Sequence, residues 1–172
     1  MTILGLFIHK TYGKKSLQFN DTPFYYFPIA IVLGISYVIF QEYLIDFYFW
    51  VINEPRLYIS EFKLKNAFEY FDLPTVLMFP IIEEFFFRRY IQDKLQKDYR
   101  PIITIGVTTL LFTMIHTPFF ALFSSLYDFS FYLPYMVVVG GLIASILYYK
   151  SGNVWSSILF HITWNFAAGG FY

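Results

Sequence analysis

Between residues 101 and 123 the chain carries one ionisable side chain, His116, and between 131 and 149 it carries no charge at all. An uninterrupted apolar run of about 20 residues is long enough to cross a bilayer as a helix. In lipid the backbone must satisfy its own N–H and C=O groups, so such a run is helical. Three further segments have this character. Segment 24–45 has Glu42 as its only charge, with the aromatic run 46–50 extending it or lying among headgroups. Segment 74–91 is apolar apart from Glu83, Glu84, Arg88 and Arg89, and segment 153–171 has only His161. The expected fold is an all-α, polytopic transmembrane helix bundle of about five spans.

Composition agrees. Apolar residues make up 58% of the 172 and charged residues 14%, against about 45–50% and 25% in an ordinary soluble domain. Disorder is excluded, since disordered chains are poor in apolar residues. Lys+Arg and Asp+Glu are 12 each, so no basic excess is present to bind nucleic acid. The absence of cysteine excludes disulfides, thiolate metal sites and a cysteine nucleophile. Residues 1–21 lack the apolar core and small-residue cleavage site of a signal peptide. The chain divides into 1–72, with one span and a polar, amphipathic stretch at 53–72, and 73–172, with the remaining spans.

Basic residues set orientation. With the N-terminus cytoplasmic, Lys10, Lys14, Lys15, Arg88, Arg89, Lys94, Lys97, Arg100 and Lys150 fall inside, and only Arg56, Lys63 and Lys65 fall outside. The loop 126–130, on the outer side, has no base. Glu42, Asp46 and His9 need no function beyond solvation or the interface.

Ionisable groups inside a span are costly and point to function. At about 1.5 Å per residue, Glu83 lies roughly 14 Å into its span and His161 roughly 12 Å into its own, close to one level in a core about 30 Å thick. His116 falls somewhat nearer the outer side. Glu84 and Arg88 stand i,i+4 with the acid first, the favourable order for an ion pair, and Glu83 points about 100° away. Adjacent carboxylates in a low dielectric titrate apart, which suits one of them to base chemistry near neutral pH. Phe112 and His116, and His161 and Asn165, are likewise one turn apart. Pro80 is positioned to kink its helix and free a carbonyl toward this layer; Pro118 can do the same after His116. The pair Gly140-Gly141 permits close helix contact. Glu84–Arg88 would serve equally as a structural staple, and either histidine alone as an interhelical hydrogen-bonder; the shared layer is what favours a site. Ser124-Ser125 and Ser156-Ser157 have no evident base.

Glu83-Glu84-Phe85-Phe86-Phe87-Arg88, Phe112-Thr113-Met114-Ile115-His116 and His161-Ile162-Thr163-Trp164-Asn165 resemble, in order, the EExxxR, FxxxH and HxxxN motifs of the CAAX protease and bacteriocin-processing (Abi, or CPBP) family of intramembrane endopeptidases. The resemblance covers roughly 74–172; residues 1–72 carry no motif of the family. It implies that Glu83 activates water with His116 beside it, that His161 and Asn165 stabilise an oxyanion, and that Glu84 and Arg88 support the site. In the preferred reading no cofactor is required. The alternative is a zinc metalloprotease with Glu83, His116 and His161 as ligands, though HExxH spacing is absent. The implied substrate is a membrane-associated peptide or protein tail, processed as a CAAX tail or in bacteriocin maturation or self-immunity; a non-catalytic immunity protein and a proton-linked carrier are the rivals. Expected partners are membrane lipids and that substrate, with a homodimer as one way to close a small bundle. The Phe/Ile/Tyr/Lys-rich composition points to a bacterial plasma membrane.

Overall fold

The computed structural model describes residues 23–56, 61–69, 71–123 and 132–171. The N-terminal segment with His9 and the loop around Asp128 lie outside the described residues. The described chain is helical, and no strand occurs among the described residues. Helix α1 spans Tyr26–Val51, taking in the aromatic run after residue 45. It ends where Asn53 adopts φ 56°, a left-handed conformation that asparagine tolerates better than most residues. The short α2, Leu64–Glu69, is the helix formed among the described residues of the amphipathic stretch.

The segment that carries the acidic pair is more elaborate than a plain helix. A π-helical turn, Pro74–Met78 (π1), leads into α3, Phe79–Glu84; a second π-helical stretch, Phe85–Gln92 (π2), leads into α4, Asp93–Asp98. Tyr99 is extended at φ −123° and ψ 156°, as suits a chain approaching a proline. Pro101 then opens α5, Pro101–Phe123, where its missing N–H costs nothing. Helix α6 is Tyr132–Ser151 and α7 is Val154–Ala168, followed by a 3-10 turn, Gly169–Phe171. Gly152, at φ 65°, closes α6 by donating its N–H to the Tyr148 carbonyl at 2.9 Å. Asn153 caps α7 by accepting from the Trp155 N–H at 2.9 Å. This two-residue link turns α7 tightly back along α6.

Helix α7 is the centre of the packing and touches α1, α2, α3, α6 and both π-helical stretches. Glycines set its closest contacts. A Cβ at Gly34 on α1 would stand 2.8 Å from the Phe160 carbonyl oxygen, and one at Gly140 on α6 would stand 2.5 Å from the Trp164 indole. Gly141 faces Phe112 in the same way, at 3.0 Å. The expected close contact at Gly140-Gly141 therefore seats two aromatic rings. Ala30, Tyr37, Val38, Ala144, Leu147, Phe160 and Trp164 form the largest buried cluster, tied across by the Tyr37 hydroxyl donating to the Met136 carbonyl at 2.5 Å.

The outer surface is apolar. On α1, Val32, Ile39, Phe40 and Tyr43 are exposed, as are Ile102 and Leu110 on α5; a soluble protein does not present apolar surface this extensively. By length and composition, α1 is the one described helix able to cross a membrane, and the apolar run Pro101–Thr117 is shorter.

Candidate active site

Glu84 closes α3, and its side chain is 0% exposed. Its Oε2 accepts from Arg88 Nε at 2.9 Å and its Oε1 from Arg88 Nη2 at 3.4 Å. The Arg88 guanidinium lies over the Phe112 ring, 4.9 Å from its centroid, a favourable placement for a buried cation. The i,i+4 pair expected from the spacing is thus formed, and α7 joins it: His161 Nδ1 lies 3.1 Å from Glu84 Oε1. A carboxylate held by arginine only accepts, so Nδ1 carries the hydrogen and donates. His116 Nδ1 lies 2.8 Å from the Phe112 carbonyl oxygen. A carbonyl also only accepts, so here too Nδ1 donates. In the neutral form each imidazole then presents an unprotonated Nε2.

Both of those nitrogens face Glu83. His116 Nε2 is 3.6 Å and His161 Nε2 is 3.8 Å from Glu83 Oε2. Three acceptors converge at distances too long for direct hydrogen bonds and suited to a bridging water. Glu83 is 26% exposed, against 0% for Glu84. Two carboxylates adjacent in sequence thus occupy different environments: one is buried in an ion pair, the other is partly exposed between two histidines.

Asn165 joins the same end of the bundle by an indirect route. Its Nδ2 donates to the Thr75 carbonyl on π1 at 2.9 Å, and no hydrogen bond links it to His161. Phe79 N–H bonds the Pro74 carbonyl five residues back. In that register the next donor in line for the Thr75 carbonyl is Pro80, which has no N–H. The carbonyl that the proline frees is the one Asn165 takes.

Further side chains support the site: Phe112 packs beside His116 as their i,i+4 spacing implies, while sequence reasoning passed over Trp164 and Gln41. Trp164 stacks on His161 with centroids 5.3 Å apart and is anchored by Nε1 donating to Gln41 Oε1 on α1 at 3.2 Å. Phe112 packs edge-on against His161 and beside His116, at 5.8 and 4.4 Å. The Ser157 hydroxyl lies beside Glu84, a supporting place rather than a nucleophile's. Gln41, a polar side chain inside an apolar span, was the one available signal among these. The segment before and within α2 folds onto the C-terminal end of α7, with Lys63 N–H donating to the Gly170 carbonyl at 2.8 Å and Phe68 against Phe166 at 5.1 Å.

Zinc held at about 2.0–2.1 Å by tetrahedral ligands brings their atoms to about 3.3 Å of one another. The Glu83–His116 and Glu83–His161 separations are wider, at 3.6 and 3.8 Å. Among the described residues no group of three or more His, Cys, Asp or Glu forms a metal-holding cluster. The side chains would have to close by about 0.3–0.5 Å to hold the ion.

An apolar helical bundle with a buried Glu/His/Arg cluster on three helices defines the class: a membrane protein with a polar site in its interior. The chain belongs to the type II CAAX prenyl endopeptidase Rce1-like family, whose profile matches residues 68–167. That range holds all six candidate residues, and the activity that goes with the family is that of a CAAX-type intramembrane protease. Comparison with curated proteins and with solved structures gives no match.

Proposed function

We propose that the chain is a multi-pass intramembrane endopeptidase that hydrolyses a peptide bond in a membrane-associated peptide or protein tail, with Glu83 as the group that activates water. The observation that carries this reading is the convergence of the His116 and His161 Nε2 atoms on Glu83 Oε2, at 3.6 and 3.8 Å. A water among these three acceptors donates one hydrogen to Glu83 and one to an imidazole, leaving its lone pairs toward a substrate carbonyl. Glu83 takes the proton as the water oxygen bonds to the carbonyl carbon. The second N–H of Asn165 is a donor for the oxyanion, and His161 joins it when its Nε2 has taken up a proton from solvent beforehand. When the tetrahedral intermediate collapses, the C–N bond breaks and the proton held by Glu83 passes to the leaving amine. Glu84 and Arg88 hold His161 in its tautomer.

Five spans with a cytoplasmic N-terminus, in a bacterial plasma membrane, complete the proposal; the distribution of basic residues supports the orientation. Cleavage of a peptide library by the protein in detergent tests it. Glu83→Gln should lower turnover about 10²–10⁴-fold with helix content unchanged, and undiminished cleavage would remove Glu83 from the mechanism. Loss of activity on chelation, restored by zinc, would put a metal mechanism in its place. Binding of peptides without cleavage by the unmodified protein would point to an immunity module.

A further inference from the structure

A polar seam leads from the Glu84–Arg88 pair toward the end of the bundle where α4 stops, and its hydrogen bonds do not close within the protein. Along π2 and α4, Arg88, Gln92 and Gln96 follow one another at four-residue steps; Arg88 and Gln92 are 0% exposed. On α5, Thr104 and Thr108 are also 0% exposed, and the next residue in that row, Phe112, lies under the Arg88 guanidinium. The threonine row therefore faces the π2–α4 helix. The third wall is α6: Gln92 Nε2 donates to the Ser145 carbonyl at 3.0 Å, and the Thr109 and Ser145 hydroxyls meet at 3.3 Å.

Five buried polar atoms in this seam have no partner in the protein: Arg88 Nη1, Gln92 Oε1, Gln96 Nε2, Thr104 Oγ1 and Thr108 Oγ1. Other threonines here show the default solution. Thr113, Thr117 and Thr163 donate to the carbonyl four residues back, at 3.0, 2.9 and 2.6 Å. Thr104 and Thr108 do not take it. Several buried groups left unmatched in one interior would cost an amount comparable to the net stability of a fold. Their mixture identifies the missing ligand. Arginine and amide N–H groups refuse a cation, and the Gln92 oxygen refuses an anion. Water donates and accepts, so it suits donors, acceptor and hydroxyls alike.

We propose that this seam holds a file of internal waters linking the buried Glu84–Arg88 pair to the aqueous face beside α4, where Lys94, Lys97 and Asp98 are exposed. The file's use as a water supply for hydrolysis rests on the proposed function; its existence does not.

The chain has no cysteine, so Thr104→Cys, Thr108→Cys and Gln96→Cys each carry a single thiol. Silver nitrate in chloride-free buffer is the probe, applied to the full chain in liposomes. The S–H bond breaks, an S–Ag bond forms and the proton passes to water. Thiols still free are counted with a maleimide after denaturation. Ile158→Cys, at 0% exposure in an apolar cluster, and Leu110→Cys, at 59% on the apolar surface, are the dry controls, because a thiol in apolar surroundings stays protonated and inert. Both threonine variants should react about tenfold or more faster than Ile158→Cys, with Gln96→Cys fastest. Equal rates for Thr108→Cys and Ile158→Cys overturn the water file, as does equal reactivity at all five positions. The unmodified protein gives a second reading free of any folding defect: the Arg88 side-chain N–H protons should exchange magnetisation with water by NMR, and absence of that exchange overturns the file.

Discussion

The Glu84 side chain has no exposure to solvent, while its neighbour Glu83 is 26% exposed, and this difference separates stability from chemistry. Glu84 balances the fully buried Arg88. In Glu84→Gln the fully buried arginine loses its counter-charge, and the expected cost is about 3–5 kcal/mol. Replacing both partners, Glu84→Gln with Arg88→Met, removes the charge along with its counter-charge and should recover most of that loss. Unfolding temperatures of the two variants in detergent check this; a double variant no more stable than the single one would show that the ion pair is not what compensates Arg88. Glu83→Gln removes no such partner. It should leave stability within about 1 kcal/mol of the unmodified protein while abolishing cleavage under the proposed mechanism. The two acids thus predict opposite profiles from the same conservative change.

At the level of elements, the π1–α3–π2 helix does work that an unbroken α-helix would not. Because Pro80 has no N–H, the Thr75 carbonyl is left for Asn165, whose amide is fixed at 2.9 Å. Pro80→Ala supplies a competing donor, and the expected outcome is a lower kcat with KM little changed as Asn165 is released. Asn165→Ala should cost about 10²–10³-fold in kcat if the amide is an oxyanion donor; a loss confined to KM would make it a substrate-binding group instead. The start of π1 is pH-sensitive. Asp72 accepts the Thr75 N–H at 2.9 Å, and the hydrogen bonds from the Thr75 hydroxyl and N–H hold its carboxyl below the usual aspartate range. A carboxyl depressed in the folded state stabilises it above the unfolded value, about 3.9, and loses that contribution as pH falls toward the folded value. Stability measured from pH 7 to 3 should therefore fall more steeply for the unmodified protein than for Asp72→Asn. Much of this architecture was legible in the sequence. The apolar runs at 101–123 and 131–149 correspond closely to α5 and α6, and the EExxxR, FxxxH and HxxxN spacings appear because four-residue steps share a helix face. The π-helical stretches were not legible, since an i→i−5 register is selected by packing rather than by residue type. Nor was Trp164, one aromatic among 23 Phe, 16 Tyr and 3 Trp. The polar stretch 53–72 read as an amphipathic helix, but only α2 forms among its described residues; Phe62 packs on Phe171 of the 3-10 turn, and Phe68 and Phe71 pack on Phe166 of α7.

For the whole molecule, the family profile begins at residue 68, yet the acid–base cluster depends on a helix outside that range. Helix α1 packs along α7 through Gly34, supplies Gln41 to Trp164, and so steadies the ring stacked on His161. On its other side it offers Val32, Ile39 and Phe40 outward, as a helix facing lipid does. These two faces give α1 two separable roles, anchor and wall, and one substitution on each tells them apart. At Gly34 any side chain meets the Phe160 carbonyl oxygen and Thr163 Cβ at 2.8 Å. Backbone cannot yield as a flexible side chain can, so Gly34→Leu must push α1 away from α7. The expected cost is at least the ~1–3 kcal/mol of an overpacked core, with loss of the Tyr37–Met136 and Gln41–Trp164 hydrogen bonds. Cleavage should fall with it, because His161 loses its backing ring. Val32→Leu, on the exposed face of the same helix, should change neither unfolding temperature nor cleavage. If Gly34→Leu cleaves as the unmodified protein does, α1 is an anchor only and the site is complete within 68–167; if cleavage falls while membrane insertion is retained, α1 is a wall of the site.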